Sequence, residues 1–444
     1  MRRPNLLDLR GAVLCLGVVL GAIGSARAQD EPETEEEAFF TEDRPSVSFA
    51  TVWDFRFART DDTTGWLDAG LGKTRYGGRD DDARSVFRIP QASFVVATDP
   101  GEIFSGHLHV NLDLEPENAK GRYGWDRLRL IEGFAVAKWG LTDTLGVHAK
   151  GGLFFPPISQ EHVGEAWSTF YTVTPSAINA WVGEEVRALG MELSLVHAGL
   201  SNELSVKGAA FWNNDPTGSL LAYRGFSVHD RQGGWRDQVP LPPIPSLGPG
   251  GNFSRQAPWV EPIKEVDHRP GFFGALSWEN YQWFQLDAIY FDNKGIPDRF
   301  DGWQYAWRTR FANVGATVFL PADIEVVGQV LTGDTLMGFP PPRPRVEADY
   351  RSWFSMLSLP VGRHRWSLRY EQFDVWDRDD FNDTDSSDEN GHAWTFAYWL
   401  SLTGEHRLGA ELVRVASDRA ARAAIGEPVR ADELVFQVNL RVQF

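Results

Sequence analysis

The sequence predicts an all-β fold, a transmembrane antiparallel β-barrel of about 16 strands within a range of roughly 14 to 18. Three observations predict it. First, the final stretch alternates: Leu434, Phe436, Val438, Leu440, Val442 and Phe444 are apolar, Gln437, Asn439, Arg441 and Gln443 lie between them, and only Val435 departs from the pattern. Period two puts these sets on opposite faces of a strand. A soluble edge strand of this kind would aggregate, whereas a closed barrel places its apolar face on lipid and leaves no edge unpaired. Second, the chain opens as an export signal, with Arg2 and Arg3, an apolar run Ala12 to Ile23 and a small-x-small site at Ala26-Arg27-Ala28. Third, no later segment reaches the roughly 18 to 20 apolar residues of a spanning helix. Any membrane span must then be made of strands.

These observations divide the chain into a signal peptide (1–28), an acidic disordered leader (29–45) and an outer-membrane barrel (46–444). The leader carries Glu35, Glu36 and Glu37 in a row and little to bury. Cys15 is the only cysteine and sits in the signal, so the mature chain has neither disulfides nor thiolate metal ligands. A net charge of −18 argues against a nucleic-acid partner. The 18 Trp at a mean hydropathy of −0.31 suit a wall whose one face is wet and whose rims carry aromatic girdles.

Strands follow at hairpin spacing. Val47, Phe49, Trp53, Phe55 and Phe57 form one face, opposed by Ser48, Ala50, Asp54 and Arg56. Over Ile103 to Glu115, Phe104, Leu108, Val110, Leu112 and Leu114 alternate with Ser105, His107, His109, Asn111 and Asp113. Trp303, Tyr305, Trp307 and Phe311 are set against Gln304, Arg308 and Arg310. Trp366, Leu368 and Tyr370 are set against Arg365, Ser367, Arg369 and Glu371, and Trp394 to Leu402 repeats the pattern. Weaker candidates lie at 85–98, 127–139, 144–155, 186–197, 203–213, 271–279, 281–292, 314–333, 349–359 and 406–416. Two long connections, 156–185 and the Pro-rich 224–270, are each able to fold inward as a constriction or to cap the barrel outside.

The run Gly151-Gly152-Leu153-Phe154-Phe155-Pro156-Pro157, followed by Val186-Arg187-Ala188-Leu189-Gly190-Met191, resembles the phosphate-selective porin superfamily. The match covers a strand end, a long connection and the opening of the next strand. The terminal Phe444, the aromatic on which outer-membrane barrels end, extends the likeness across the chain. The resemblance implies a Gram-negative outer-membrane protein with 16 strands, a homotrimer, and a passive channel for small hydrophilic or charged solutes.

The inner faces name the candidate pore-lining residues: Asp54, Arg56, His107, His109, Asp113, Arg308, Arg310, Arg365, Arg369 and Glu371. Guanidiniums there would attract anions; the alternative is that they pair with carboxylates such as Glu371 across the wall. His107 and His109 share a face but need a third ligand to hold a metal, so ordinary hydrogen bonding is the plainer reading. The acidic stretch 374–389, with Asp379, Asp383, Asp385 and Asp388, is either a solvated loop or a weak divalent-cation site able to bridge lipopolysaccharide phosphates. It lacks the glycine spacing of an EF-hand, and no metal or cofactor is expected. A nucleophile and its base would require a converging Ser, His and carboxylate, and no Gly-x-Ser-x-Gly signature is present. The expectation is therefore a porin without enzymatic activity, having hydrophilic solutes or anions and outer-membrane lipids as partners. A closed barrel with a structural or surface-binding role is the alternative, and a barrel hydrolase the third choice.

Overall fold

The computed structural model describes residues 46–78, 82–99, 101, 103–115, 127–379, 386–403 and 405–444. The expected signal peptide and acidic leader lie outside the described residues, as do Asp383 and Asp385. Sixteen antiparallel strands close into one barrel in chain order. The first six are β1 (Ser46–Arg59), β2 (Ser85–Asp99), β3 (Phe104–Leu112), β4 (Leu128–Gly140), β5 (Leu145–Phe154) and β6 (Ala188–Ala198). Next come β7 (Asn202–Trp212), β8 (Gly271–Asn280), β9 (Phe284–Asp292), β10 (Arg308–Leu320) and β11 (Ile324–Gly338). The ring ends with β12 (Arg345–Val361), β13 (His364–Asp377), β14 (Glu389–Ser401), β15 (Arg407–Arg419) and β16 (Arg430–Gln443). β16 returns to β1, where the Thr51 and Phe444 backbones exchange hydrogen bonds of 2.8 and 3.1 Å. No strand is left with a bare edge, which lets the backbone satisfy itself in lipid.

The connections sort by end. Short turns such as 141–144, 281–283 and 362–363 join strands at the end that holds both Ser46 and Phe444. At the other end lie eight connections, L1 to L8 in chain order, of which L1 (60–84), L3 (155–187) and L4 (213–270) are long. In outer-membrane barrels the short turns are periplasmic and the long loops extracellular.

The period-two reading holds on β1, where Val52, Asp54, Arg56 and Ala58 are buried while Phe49 and Phe57 are exposed. It holds equally on β13, β14 and β16, with Leu368, Phe396 and Phe436 exposed and Arg369, Thr395 and Gln437 buried. β10 differs. Thr309, Phe311, Asn313 and Thr317 are its buried set and Val314 is exposed, so Arg308 and Arg310 stand on the outer face. Arg310 bonds Asp334 of β11 at 2.6 Å with its side chain 43 % exposed. The lumen assignment of these two arginines is corrected. Its premise, that aromatics face lipid, fails where the barrel interior is itself apolar. Tyr305 and Trp307 are not in the barrel wall at all but buried in L5.

That interior is filled by loops. L3 carries helix α1 (Ala177–Glu185), started by Ser176, whose Oγ accepts from the Asn179 N–H, and every residue of α1 is buried. L4 carries the short helix α2 (Ser219–Arg224), also buried throughout. Trp181 of α1 meets Phe311 and Tyr350 edge-on at 5.3 and 5.6 Å, and Phe226 of L4 packs on Tyr350 and Phe373. One apolar cluster thus runs through the loops to inward residues of every strand from β4 to β15. Each such aromatic is worth roughly 1.5–3 kcal/mol when buried. A second cluster closes the loop end: Trp66 of L1, Tyr223, Leu241 and Phe253 of L4 and Trp307 of L5 pack with Met337 and Val346. The connection 156–185 folds inward, whereas 224–270 enters the barrel at Phe226 and Val228 and then caps the loop end.

Candidate functional site: the lumen and its plug

Plug and wall are joined by carboxylates that receive loop backbone. Glu411 of β15 accepts from the N–H of Val173 at 2.6 Å and of Thr174 at 3.2 Å. Glu371 of β13 accepts from Ala177 N at 2.6 Å, Glu389 of β14 from Phe226 N at 2.8 Å, and Glu433 of β16 from Lys73 N at 2.8 Å. Four consecutive strands therefore each present one glutamate to a loop. A buried carboxylate with several donors is satisfied without a cation, and charge-assisted bonds of this kind are the strong ones. The fit against Glu389 is close: Gly225 has φ +76°, and a Cβ there would overlap the carboxylate.

Cations complete the lining. Arg369 of β13 bonds Glu161 of L3 at 2.7 Å, Glu371 at 3.1 Å and the carbonyls of Thr174 and Pro175 at 2.9 Å. Arg365 bonds Glu325 of β11 at 2.9 Å, and the Tyr171 hydroxyl donates to the same carboxylate at 2.6 Å. Arg441 of β16 forks onto Asp54 at 2.8 and 2.9 Å, and Arg56 reaches Asp230 of L4 at 2.7 Å. The inner-face residues Asp54 and Arg56 on β1 and Arg369 and Glu371 on β13 thus form two clusters between wall and plug, and all four are buried. The two arginines pair there with carboxylates and carbonyls, Asp54 accepts from Arg441, and Glu371 accepts from Arg369 and Ala177 N.

The remaining candidates sit apart. His109 lies 2.9 Å from Ser93 Oγ and is buried; His107 stacks on Phe134 at 5.0 Å; Asp113 pairs with Arg129. Asp379 and Asp388 brace the L7 turn, accepting from Glu347 N at 3.3 Å and Asp377 N at 2.8 Å. Among the described residues, the group with metal-ligand spacing is Asp215, Glu265 and Asp267 at the base of L4. Its carboxylates take the N–H groups of Asn213, Val266, Asp267, His268, Arg269 and Ile296, so it staples a loop. Burial raises the Asp215 carboxyl to about 7. Ser159 and His162 lie 2.7 Å apart, yet Ser159 Oγ also accepts from Glu161 N and His162 N, the pattern of a turn cap.

L3 and L4 meet at Glu185. Its carboxylate accepts from Ser219 Oγ and Leu220 N at 3.0 Å and from Trp181 Nε1, and burial lifts it to about 7. The base of L3 is a stack of four planar groups. His162 lies on Trp167 at 3.5 Å, Trp167 on Phe155 at 3.7 Å, and Arg187 on Phe155 at 3.3 Å. Phe155 and Arg187 come from the two halves of the Gly-Gly-Leu-Phe-Phe-Pro-Pro and Val-Arg-Ala-Leu-Gly motif, which here fasten the inward loop at both ends.

Below the plug the lumen is polar. His148, Lys150, Glu192, Glu203, Lys207, Glu279 and Asp287 stand on the inner face of β5 to β9, most of them partly exposed. A cleft of about 280 Å³ opens under L3, lined by Ser159, Gln160, Tyr171, Thr317 and Glu325 among others. Residues 172–187 of L3 and 214–229 of L4 are, by contrast, buried without a break.

The outer face carries the complementary surface, an apolar belt that includes Phe49, Met191, Leu193, Leu276, Trp394 and Phe436. Such a belt on a closed barrel places the protein in the bacterial outer membrane. No protein-family model and no curated protein matches the sequence. Solved structures do share the fold. The outer-membrane channel DcaP of Acinetobacter baumannii is similar at a TM-score of 0.53 and 8% identity, over 91% of this chain and 99% of that one. An anion-selective porin from Comamonas acidovorans gives 0.51 and 12%, over 90% and 100%. A loop-deletion mutant of the Vibrio cholerae outer membrane protein OmpT gives 0.50 and 9%, over 90% and 100%. The chain has the fold of bacterial outer-membrane porins.

Proposed function

We propose that the protein is an outer-membrane channel for small hydrophilic or charged solutes, with L3 and L4 acting as its internal gate. The observation that supports it best is the inner face of β5 to β9, where charges of both signs line a lumen open towards the short turns. A wall kept apolar on lipid and ionic within is the wall of a water-filled path. The gate is fastened to that wall by an apolar cluster and also by hydrogen bonds and ion pairs, the latter exchangeable for water when it moves. Passage would be passive. Assembly as a homotrimer belongs to the same reading, and native mass spectrometry would count the copies.

A second reading, a permanently closed barrel with a structural or surface-binding role, is favoured by the apolar cluster that reaches twelve consecutive strands. Single-channel conductance in a planar bilayer separates the two. The wild type is compared with a variant in which residues 227–262 are replaced by a short Gly-Ser linker, both checked for heat-modifiable migration. Discrete steps in the wild type, made larger or more frequent in the variant, are the expected result. Silence from both folded proteins would sink the channel. A salt-gradient reversal potential favouring anions would direct substitution to Arg365 and Arg407; one favouring cations would direct it to Glu203, Glu279 and Asp287.

A further inference from the structure

A cleft remains where the base of L3 meets the inner faces of β9, β10 and β11. Its volume of about 280 Å³ lies at the small end of ligand sites, with room for one ring-sized solute. The polar lining is held in place from behind. Gln160 of L3 donates through Nε2 to Asp287 of β9 at 2.7 Å and accepts from Thr317 Oγ1 of β10 at 3.1 Å. Gln285 donates to the same Asp287 carboxylate at 2.9 Å, and Tyr171 and Arg365 donate to the two oxygens of Glu325 at 2.6 and 2.9 Å. Gly315 supplies the room for Gln160, since a Cβ there would stand 2.6 Å from its Cγ.

These groups keep hydrogen-bonding capacity in hand. A glutamine amide has two N–H donors, and Gln160 and Gln285 each give one to Asp287. The Thr317 and Tyr171 hydroxyls donate and remain able to accept, and the Glu325 carboxylate has about four acceptor sites for its two donors. Donors and acceptors therefore stand side by side, next to the half-buried rings of Phe319 and Phe170. Among the described lining residues none is cationic. Arg365, which lies on the Phe170 ring at 4.4 Å, matches the Glu325 charge, and two amides engage Asp287.

We propose that this cleft binds a neutral polyhydroxylated ring, the chemistry of a monosaccharide. Each hydroxyl of such a solute both donates and accepts, which suits a lining of amides, hydroxyls and a carboxylate, and the apolar face of its ring rests on Phe319. An ion gains little there, because the carboxylates are already engaged. The inference rests on the channel reading for how the solute arrives, and it gives that channel a resting site beside its gate.

The test is saturation-transfer NMR of the folded full-length protein in a detergent without sugar headgroups, titrated with glucose, glucuronate and glucosamine, three rings that differ in charge. Wild-type protein binds glucose saturably and both charged sugars more weakly. The double variant Q285A/F319A binds glucose about tenfold more weakly, the scale of a lost hydrogen bond together with a lost apolar surface. Should that variant not migrate as a heat-modifiable barrel, the order of the three sugars on the wild type decides. Absence of saturable glucose binding, tighter binding of glucuronate or glucosamine, or equal binding by Q285A/F319A would each overturn the proposal. The readout needs no current. A protein that binds glucose but is silent in a bilayer keeps the site and loses the channel, whereas one that conducts without binding glucose loses the site alone.

Discussion

The loop-side half of the lumen and its periplasmic half are walled by the same strands and are built on opposite principles. Near the loops, inward Phe311, Tyr350 and Phe373 pack on Trp181 and Phe226, and each ionic group is matched by a carbonyl, a carboxylate or a backbone N–H. Near the turns, Glu203, Glu279, Lys207 and His148 face open space on the same barrel. The difference lies in the loops. The wall matches them: its inward side chains are apolar or paired where loops dock, and charged and partly exposed where no loop reaches.

Breaking the packed half at its centre should have the largest effect. Trp181→Ala removes an indole between Phe311 and Tyr350 and releases Glu185, at a cost of about 3–5 kcal/mol. The expected outcome is a lower unfolding midpoint by near-ultraviolet dichroism, with more frequent channel openings. If the midpoint stays put, the plug is not a packed core. Glu411→Ala tests one latch: the Val173 and Thr174 N–H groups lose their acceptor, for roughly 1–3 kcal/mol. Faster amide exchange confined to 170–178 is expected, and protection unchanged there would show that the latch is dispensable.

The joint between L3 and L4 gives the comparison a pH axis. Burial raises both Glu185 and Asp215 to about 7, well above the roughly 4 of unfolded carboxyls. Their contribution is fully present below about pH 4 and is lost as pH rises through about 7. L3 and L4 should therefore loosen between pH 5 and 8, read as exchange at 219–220 and 265–268 corrected for intrinsic rate. E185Q/D215N should flatten that dependence. The smallest effect belongs to the outer wall, where Arg414→Ala should leave the denaturation midpoint almost unchanged despite a 2.6 Å ion pair, because the side chain is wet. A larger shift in the denaturation midpoint would mean that the outer rim carries more of the fold than its exposure suggests.

Much of the wall was legible in the sequence because period two survives wherever lipid and water lie on opposite sides. β1, β3, β13, β14 and β16 read directly, and the pairs Asp54–Arg56 and Arg369–Glu371 fall on their inner faces as their spacing requires. β10 misled for a physical reason. Phe311 is apolar because it meets a tryptophan from a loop more than a hundred residues earlier, and no local pattern distinguishes that from an encounter with lipid. The latches escaped notice on similar grounds. Glu411 and Glu433 sit at inward parity, which was readable, but that they receive loop backbone depends on where L1 and L3 go. The motif around Phe155 and Arg187 marked the place where the chain turns inward without disclosing the stack it forms.

The reciprocal bonds between Thr51 and Phe444 have a further consequence, for how the molecule is assembled. They join strands separated by almost the whole folded chain, so ring closure is the contact of longest range and carries the highest loop-closure entropy. L1, L3 and L4 are threaded through the space that this closure encloses. They join the strands at the loop-side mouth, so their way into that space stays open after β16 meets β1. Closure of the ring and docking of the plug are consequently separable events, and the first brings together the residues farthest apart in the folded chain.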